Sequence, residues 1–452
     1  YWYAVTTIDA SGIENPFVGP ANRASVFEAK GEPLPVEVPR EYLDCSKPEY
    51  CPHENLGDEN PLPIGVHVLI QYMDLRRFNA TFAAPNALNC WWGEDPDEPR
   101  IERARAYAFT YTVAEPDPLL AGCAGPYPVV LDLHGHGGAA QGPLYGLNGA
   151  GAYSDGCALM IQPCDVGETW WYGFSATFDY RTAQTGCPTE PCAELEDDFP
   201  PLPPYARIPD SGPITNYTEA RVLRMVYDLL RAPLPGYPVD PERVYVQGSS
   251  MGAAGALAFA LRYPGVIAAA AVGKPMTDYR AYLVGVAPEP ESDYRHELPL
   301  RFGAYPELAL PSGLPLLEIA NVGPGTWAEH LALFDGTAVY DWLDHVGQMQ
   351  SPAWAARDNA PFGIKAGFAD DVLPYPTQGA PVFLSSAFGD LGRCWGGKIG
   401  CDGHGGPAHA GMPPALSSSA TNPTPASFSD HRIVRDERVP GFSDLSGGHY
   451  PA

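Results

Sequence analysis

Apolar residues recur along this chain in two rhythms, each interrupted by proline and glycine. VHVLIQYMDL (66–75) and YAFTYTVAEP (107–116) alternate apolar with polar positions, which predicts half-buried strands. YPVVLDL (127–133) and ALMIQP (158–163) are short continuous apolar runs, the pattern of strands buried on both faces. In YTEARVLRMVYDLLRAPL (217–234), Val222, Leu223, Val226, Leu229 and Leu230 fall at helical spacing and Pro233 ends the helix. VDPERVYVQ (239–247) closes in a strand, AAGALAFALRYP (253–264) is a helix stopped by Pro264, and VIAAAAVG (266–273) and PFGIKAG (361–367) are further strands. Apolar strands alternating with helices predict an α/β fold: a mostly parallel sheet with helices on both faces. Residues 274–361 far exceed a connecting loop, so they are expected to form an insertion or cap with its own helices, in TWAEHLALF and AVYDWLDHV. The organisation expected is a β- and loop-rich N-terminal extension (1–105), a catalytic domain (106–410) and a C-terminal extension (411–452).

Composition narrows the partners. The 452 residues carry 27 basic and 54 acidic side chains, a net charge of −27, with only five lysines. Such a surface repels phosphate backbones and anionic headgroups, so neither nucleic acid nor membrane is expected as a partner. No apolar run reaches the length of a membrane span, and the opening YWYAVTTIDASG lacks the basic start and apolar core of a signal peptide. The 48 glycines and 51 prolines show no collagen-like period and point to many turns.

The ten cysteines form no CxxC metal pattern. Cys45/Cys51, Cys187/Cys192 and Cys394/Cys401 are close enough in sequence to clip loops. Cys157 and Cys164 flank a strand too long for them to bridge, whereas Cys123 and Cys157 precede strands that can meet at one sheet end. This usage suggests a disulfide-bearing protein that is secreted, whether extracellular or periplasmic. The acidic runs EDPDE (94–98) and ELEDD (194–198) lack EF-hand spacing and are read as solvated loops, so no metal is expected. Asn79 and Asn216 begin N-x-T glycosylation patterns.

The chemistry concentrates at GSSMG (248–252), which fits G-x-S-x-G with Ser250 at its centre. The motif lies between the strand RVYVQ and the helix AAGALAFAL. So tight a strand-to-helix turn imposes strained angles on Ser250, and Gly248 and Gly252 leave room for neighbouring chain. The serine hydroxyl then stands beside a helix N-terminus, which favours developing negative charge. HGHGG (134–138) directly follows the strand VVLDL. The backbone N–H of Met251 is one expected oxyanion donor and that of His136 or Gly137 the other; the His134 side chain is expected to hold the loop. A serine nucleophile needs a base and an orienting carboxylate. His404, in the glycine-rich DGHGG (402–406), is the expected base, with His409 and His449 as competitors. Asp370 or Asp371, in FADDVLPY, would follow the strand PFGIKAG; Asp402 is a further competitor. The chain order Ser250, Asp370, His404 is that of one hydrolase fold.

These motifs resemble the α/β-hydrolase superfamily, and within it esterases of the feruloyl-esterase and polyhydroxyalkanoate-depolymerase type. The residues that carry the resemblance are YPVVLDLHGHGG, VDPERVYVQGSSMGAAGALAFALRYP, and GFADDVLPY followed by DGHGG, within residues 106–410. In that family a G-x-x-D-x-x-V-P pattern marks the acid; Gly367, Asp370, Leu373 and Pro374 match it, which favours Asp370 over Asp371. The resemblance implies a serine carboxylic ester hydrolase that works through an acyl-enzyme without a cofactor, on a small-molecule or polymeric ester. Phenolic, carbohydrate or short-chain esters are the expected substrates. A polyester depolymerase, a serine peptidase of the prolyl-oligopeptidase type and a non-catalytic binding protein are the rivals. ETWWYGFSATFDY (168–180) follows the strand ALMIQP, where ligands of open α/β sheets bind. Trp170, Trp171 and Tyr172 are expected either to stack on substrate or to pack the core of their own segment.

Overall fold

The expected strands form and join edge to edge. The computed structural model describes residues 2–4, 7–8, 14–15, 23–25, 35–37, 65–72, 108–116, 124–136, 157–165, 169–175, 209, 212–282, 298–299, 301–305, 317–320, 336–351, 359–367, 370, 372–373 and 394–400. In chain order the elements used below are β1 (Val36–Glu37), β2 (Val66–Tyr72), β3 (Ala108–Ala114), β4 (Tyr127–Leu133), β5 (Leu159–Gln162), β6 (Phe174–Ser175) and β7 (Ile214–Thr215). Then come α1 (Tyr217–Arg231), β8 (Val239–Ser249), α2 (Met251–Arg262), β9 (Ala269–Gly273), β10 (Ile319–Ala320), α3 (Val339–Trp342), α4 (His345–Gln350), β11 (Phe362–Gly367) and β12 (Cys394–Gly400).

Among the described residues, nine strands make the main sheet, in the spatial order β12-β11-β9-β8-β4-β5-β3-β2-β1. From β12 to β5 every neighbouring pair is parallel; β3, β2 and β1 then pair antiparallel. Parallel neighbours require crossovers, which the 3.6-periodic segments supply: α2 carries the chain from β8 to β9. The strand Cys394–Gly400 adds an edge partner to β11 that the apolar pattern did not indicate. A second sheet of three two-residue strands joins β6, β7 and β10.

The β4 residues Val129, Leu131 and Leu133 share one core with Val222 and Val226 of α1 and Leu257 and Phe259 of α2. All twelve residues of α2 are buried, which explains a helix built from alanine, glycine, leucine and phenylalanine with almost no polar face. One ion pair crosses this core. Arg262 Nη1 donates to Glu219 Oε1 at 2.6 Å, and the Tyr263 hydroxyl donates to Glu219 Oε2 at 2.6 Å, tying the end of α2 to the start of α1. The Arg262 guanidinium also lies over the Trp342 ring at 4.5 Å, so its charge is compensated on more than one side.

The described part of residues 274–361 belongs to this same core. Met276, Tyr279, Leu298, Phe302, Val339, Tyr340 and Trp342 are buried within one cluster with the sheet and its helices. AVYDWLDHV, expected as one helix, is split into α3 and α4. Asp344 stands between them and its Oδ1 accepts the Gly347 N–H at 2.9 Å, an N-cap that begins a second helix. TWAEHLALF lies outside the described residues, as do Cys45, Cys51, Cys90, Cys123, Cys187, Cys192 and Cys401, the acidic runs 94–98 and 194–198, and Asn79. Asn216 precedes α1 and is fully buried, so no glycan can be attached to it in the folded protein. Among the described residues no helix is long and apolar enough to cross a membrane.

Candidate active site

β8 lies inside the sheet between β4 and β9, and its C-terminal end leads straight into the turn at Ser250. Ser250 has φ 57° and ψ −122°, a region that side chains rarely occupy. Two contacts hold it there: its N–H donates to the Gly273 carbonyl at the end of β9 (2.9 Å), and its carbonyl accepts the Ala254 N–H of α2 (3.0 Å). The flanking glycines are required by space. A Cβ on Gly252 would lie 1.9 Å from the Leu133 carbonyl oxygen, and one on Gly248 would lie 2.3 Å from the Gly252 backbone. The chain therefore crosses itself too closely for any side chain, and Ser250, 9% exposed, is delivered at the sheet edge. Met251 opens α2, so its N–H points out of the first turn with no intrahelical acceptor.

The segment after β4 lies against this turn. A Cβ on Gly135 would be 3.4 Å from the Ser249 carbonyl oxygen and 3.7 Å from Ser250 Cβ. His136 follows it and is exposed. His134 holds the loop, as expected from the sequence. Its Nε2 accepts the Asp165 N–H at 2.9 Å, so its proton sits on Nδ1, which donates to the Gly135 carbonyl at 2.8 Å.

At the end of β11, two strands from β8, the Asp370 N–H donates to the Gly367 carbonyl at 3.3 Å. Asp370 Oδ1 accepts the N–H groups of Val372 (3.0 Å) and Leu373 (2.7 Å). This aspartate turn fixes a buried carboxylate at the same sheet edge as Ser250. Ser250, Met251, the 134–136 loop and Asp370 thus all follow C-terminal ends of parallel strands. Gly137, Asp371, Asp402, His404, His409 and His449 lie outside the described residues.

The aromatic segment needs correction. Trp170, Trp171 and Tyr172 are at most 1% exposed, so none offers a free face for stacking on a ligand. Trp171 lies across α2 where Gly255 leaves space: a Cβ there would be 2.6 Å from the indole. Trp170 packs edge-on against Tyr279 at 5.4 Å, and Tyr172 meets Phe302 at 6.5 Å. These rings bind the 169–172 turn to the main core.

Two polar groups were not singled out by sequence. Asp165 is buried; its Oδ1 accepts the Thr169 hydroxyl (2.6 Å) and its Oδ2 the Trp171 N–H (2.8 Å). Burial raises its pKa, and these hydrogen bonds oppose the rise. Asp132, Gln162 and Gln247 form a row across β4, β5 and β8: Gln162 Nε2 donates to Asp132 Oδ2 at 2.5 Å and Gln247 Nε2 to Oδ1 at 3.3 Å. Burial pushes Asp132 up to about 6 against the pull of both amides. The signal was present: LDL, IQP and VQG each place one polar residue at the end of an apolar run.

A mostly parallel sheet, a serine on a left-handed turn from an inner strand into a buried helix, a glycine loop after an earlier strand and a carboxylate after a later one define the architecture. The fold is α/β: an open, mostly parallel sheet packed with helices. No protein-family model matches the chain. No curated protein matches it either. Among solved structures it is similar to an acylaminoacyl peptidase complexed with Z-Gly-Gly-Phe-chloromethyl ketone, at 14% identity and TM-score 0.38, over 74% of this chain and 41% of that one. It is similar also to an S-formylglutathione hydrolase from Agrobacterium tumefaciens, at 13% identity and TM-score 0.37, over 76% of this chain and 90% of that one. A fluorophosphonate-binding serine hydrolase of Staphylococcus aureus aligns at 13% identity and TM-score 0.34, over 65% and 85% of the two chains. The chain thus spans under half the length of the peptidase. The strand order and the serine turn carry the fold assignment; these likenesses add no argument to it.

Proposed function

We propose that this protein is a serine hydrolase that cleaves carboxylic esters through an acyl-enzyme. The observation that carries the reading is Ser250: a non-glycine residue held at φ 57° between a parallel strand and a buried helix, with the 134–136 loop packed on it. Strain of this kind persists where the surrounding structure over-determines it, and here it aims one hydroxyl at the sheet edge. In the proposed reaction Ser250 Oγ attacks the ester carbonyl, and His404 takes the serine proton and passes it to the leaving alcohol. Asp370 Oδ2 accepts the imidazole N–H and favours its charged form. The oxyanion is held by the N–H of Met251 and that of His136 or Gly137. Water then attacks the acyl-enzyme with His404 again as base.

Support for esters comes from the resemblance of the three motifs to esterases; short-chain and phenolic esters, and polyesters, are proposed on the same ground. Secretion is a further proposal. Its support is the even number of cysteines. Thiol titration of the unfolded, unreduced protein should find fewer than ten free thiols.

The test of the function is hydrolysis of p-nitrophenyl acetate, butyrate and octanoate, methyl ferulate and an anilide, beside Ser250→Ala. Ester turnover that falls by several orders of magnitude in the variant is expected. Equal rates for wild type and variant on every ester would refute the assignment. Turnover of the anilide alone would replace it with a peptidase.

A further inference from the structure

Trp170 and Trp171 pose a question that core packing alone does not answer. Consecutive residues with φ 55° and 62° and neither of them glycine are costly, by about 1–2 kcal/mol each. The chain accepts that strain in the segment between β5 and β6. The bonds around it run in one direction. Asp165 Oδ2 takes the Trp171 backbone N–H at 2.8 Å and so locks the left-handed turn. Thr169 donates to Asp165 Oδ1 and meets the Thr218 hydroxyl of α1 at 2.6 Å, and the Tyr172 carbonyl accepts the Glu219 N–H at 3.1 Å. The turn is therefore seated on the N-terminus of α1. Turned this way, the Trp171 indole lies in the space left by Gly255 on the nucleophile helix, and its Nε1–H donates to the His134 carbonyl at 3.2 Å. The indole and the His134 ring meet edge to face at 4.8 Å. The far side of the same loop is held by the Asp165 N–H on His134 Nε2. His134 is thus gripped at its carbonyl and ring by Trp171 and at Nε2 by Asp165, while its Nδ1 donates to the Gly135 carbonyl.

We infer that Trp171, locked in its left-handed turn by Asp165, is the positioning residue for the oxyanion donors carried by the loop after β4. The inference rests on the proposed hydrolase reading and deepens it. Neither side chain touches substrate. Their effect passes through His134, whose carbonyl faces Gly252 at the other end of the serine turn, so loop and nucleophile are registered against each other. Oxyanion donors act only when fixed before charge develops, and a displacement of about 1 Å costs about 100-fold in rate. Binding of the uncharged ester depends far less on them.

The test compares Trp171→Phe, which keeps a ring and removes the indole N–H, with Asp165→Asn, which keeps the volume and loses one acceptor. A fluorophosphonate first counts the competent Ser250 sites in each sample, so misfolded protein is not scored as slow enzyme. Per titrated site, kcat for p-nitrophenyl butyrate should fall about 10- to 100-fold with KM changed less than about threefold. Affinity for a trifluoromethyl ketone, whose adduct carries the oxyanion, should fall by the same factor. A merely structural role would lower the count of titratable sites and leave kcat per site unchanged; that result, in either variant that retains labelling, overturns the inference. Loss of labelling in both variants, while each remains folded by circular dichroism, also overturns it, because Ser250 itself would then be displaced. Should wild type neither label nor turn over ester, the hydrolase reading fails and this inference falls with it.

Discussion

Asp132→Asn should stabilise the protein near neutral pH and not below pH 4. Asp132 lies on β4 between the amides of Gln162 and Gln247, and burial lifts its carboxyl from 3.8 to about 6. An acid whose folded pKa exceeds its unfolded one binds more protons when native, so stability falls as pH rises between the two values. The separation of a little over two pH units corresponds to about 3 kcal/mol, fully lost above pH 6. Part of the side chain stays accessible, so this is an upper bound. Asparagine does not titrate, and its amide can donate to Gln162 Oε1 or Gln247 Oε1, both buried without a partner, after one glutamine flips. Urea unfolding at half-unit steps from pH 4 to 8 measures the effect. The stability gap, variant minus wild type, should grow by about 2–3 kcal/mol from pH 4 to 7. Parallel profiles for the two proteins would refute the reasoning, because no constant gain or loss from the substitution can mimic a pH-dependent gap.

His345 should act with the opposite sign. Burial, aided by Arg262, holds its pKa down at about 3, so the unfolded chain alone takes a proton below pH 6.5 and stability is lost as pH falls towards 3. His345→Phe should flatten the acid limb by about 3–5 kcal/mol between pH 6.5 and 3, and an unchanged limb in urea unfolding would disprove this. Gly252→Ala should abolish soluble, fluorophosphonate-reactive protein, since its Cβ would meet the Leu133 carbonyl oxygen at 1.9 Å; labelling at the wild-type level would contradict the steric argument. Glu219→Gln leaves Arg262 without its buried counter-charge and should cost about 3–5 kcal/mol in the same urea assay.

The parallel sheet was legible because apolar runs such as YPVVLDL coincide with strands buried on both faces, and β4 spans those residues as read. Helix ends were legible because Pro233 and Pro264 follow them. The strand Cys394–Gly400 was not: CWGGKIG contains three glycines, which erase the β-branched signature, and its place is set by pairing with β11. The strand-end turns at Ser250 and Asp370 were legible through spacing within one turn. The Asp165–Trp171–His134 contacts did not, because residues more than thirty positions apart meet only after β4 and β5 pair. Nor can sequence tell a tryptophan facing a ligand from one facing alanines and glycines of a helix, which is why Trp170, Trp171 and Tyr172 were open to two readings.

The segment between β9 and β11 has a consequence for anyone hoping to change specificity by grafting. Caps that sit on a finished domain can be exchanged as cassettes, with the recipient fold indifferent to what replaces them. Here Tyr279, Phe302 and Trp342 belong to the same interior as Phe259 of the serine helix and Ile364 of β11. A transplanted segment would bring new access to the site only if it also refilled that interior. Exchange in this protein is therefore a problem of redesigning a core before it is one of redesigning a pocket.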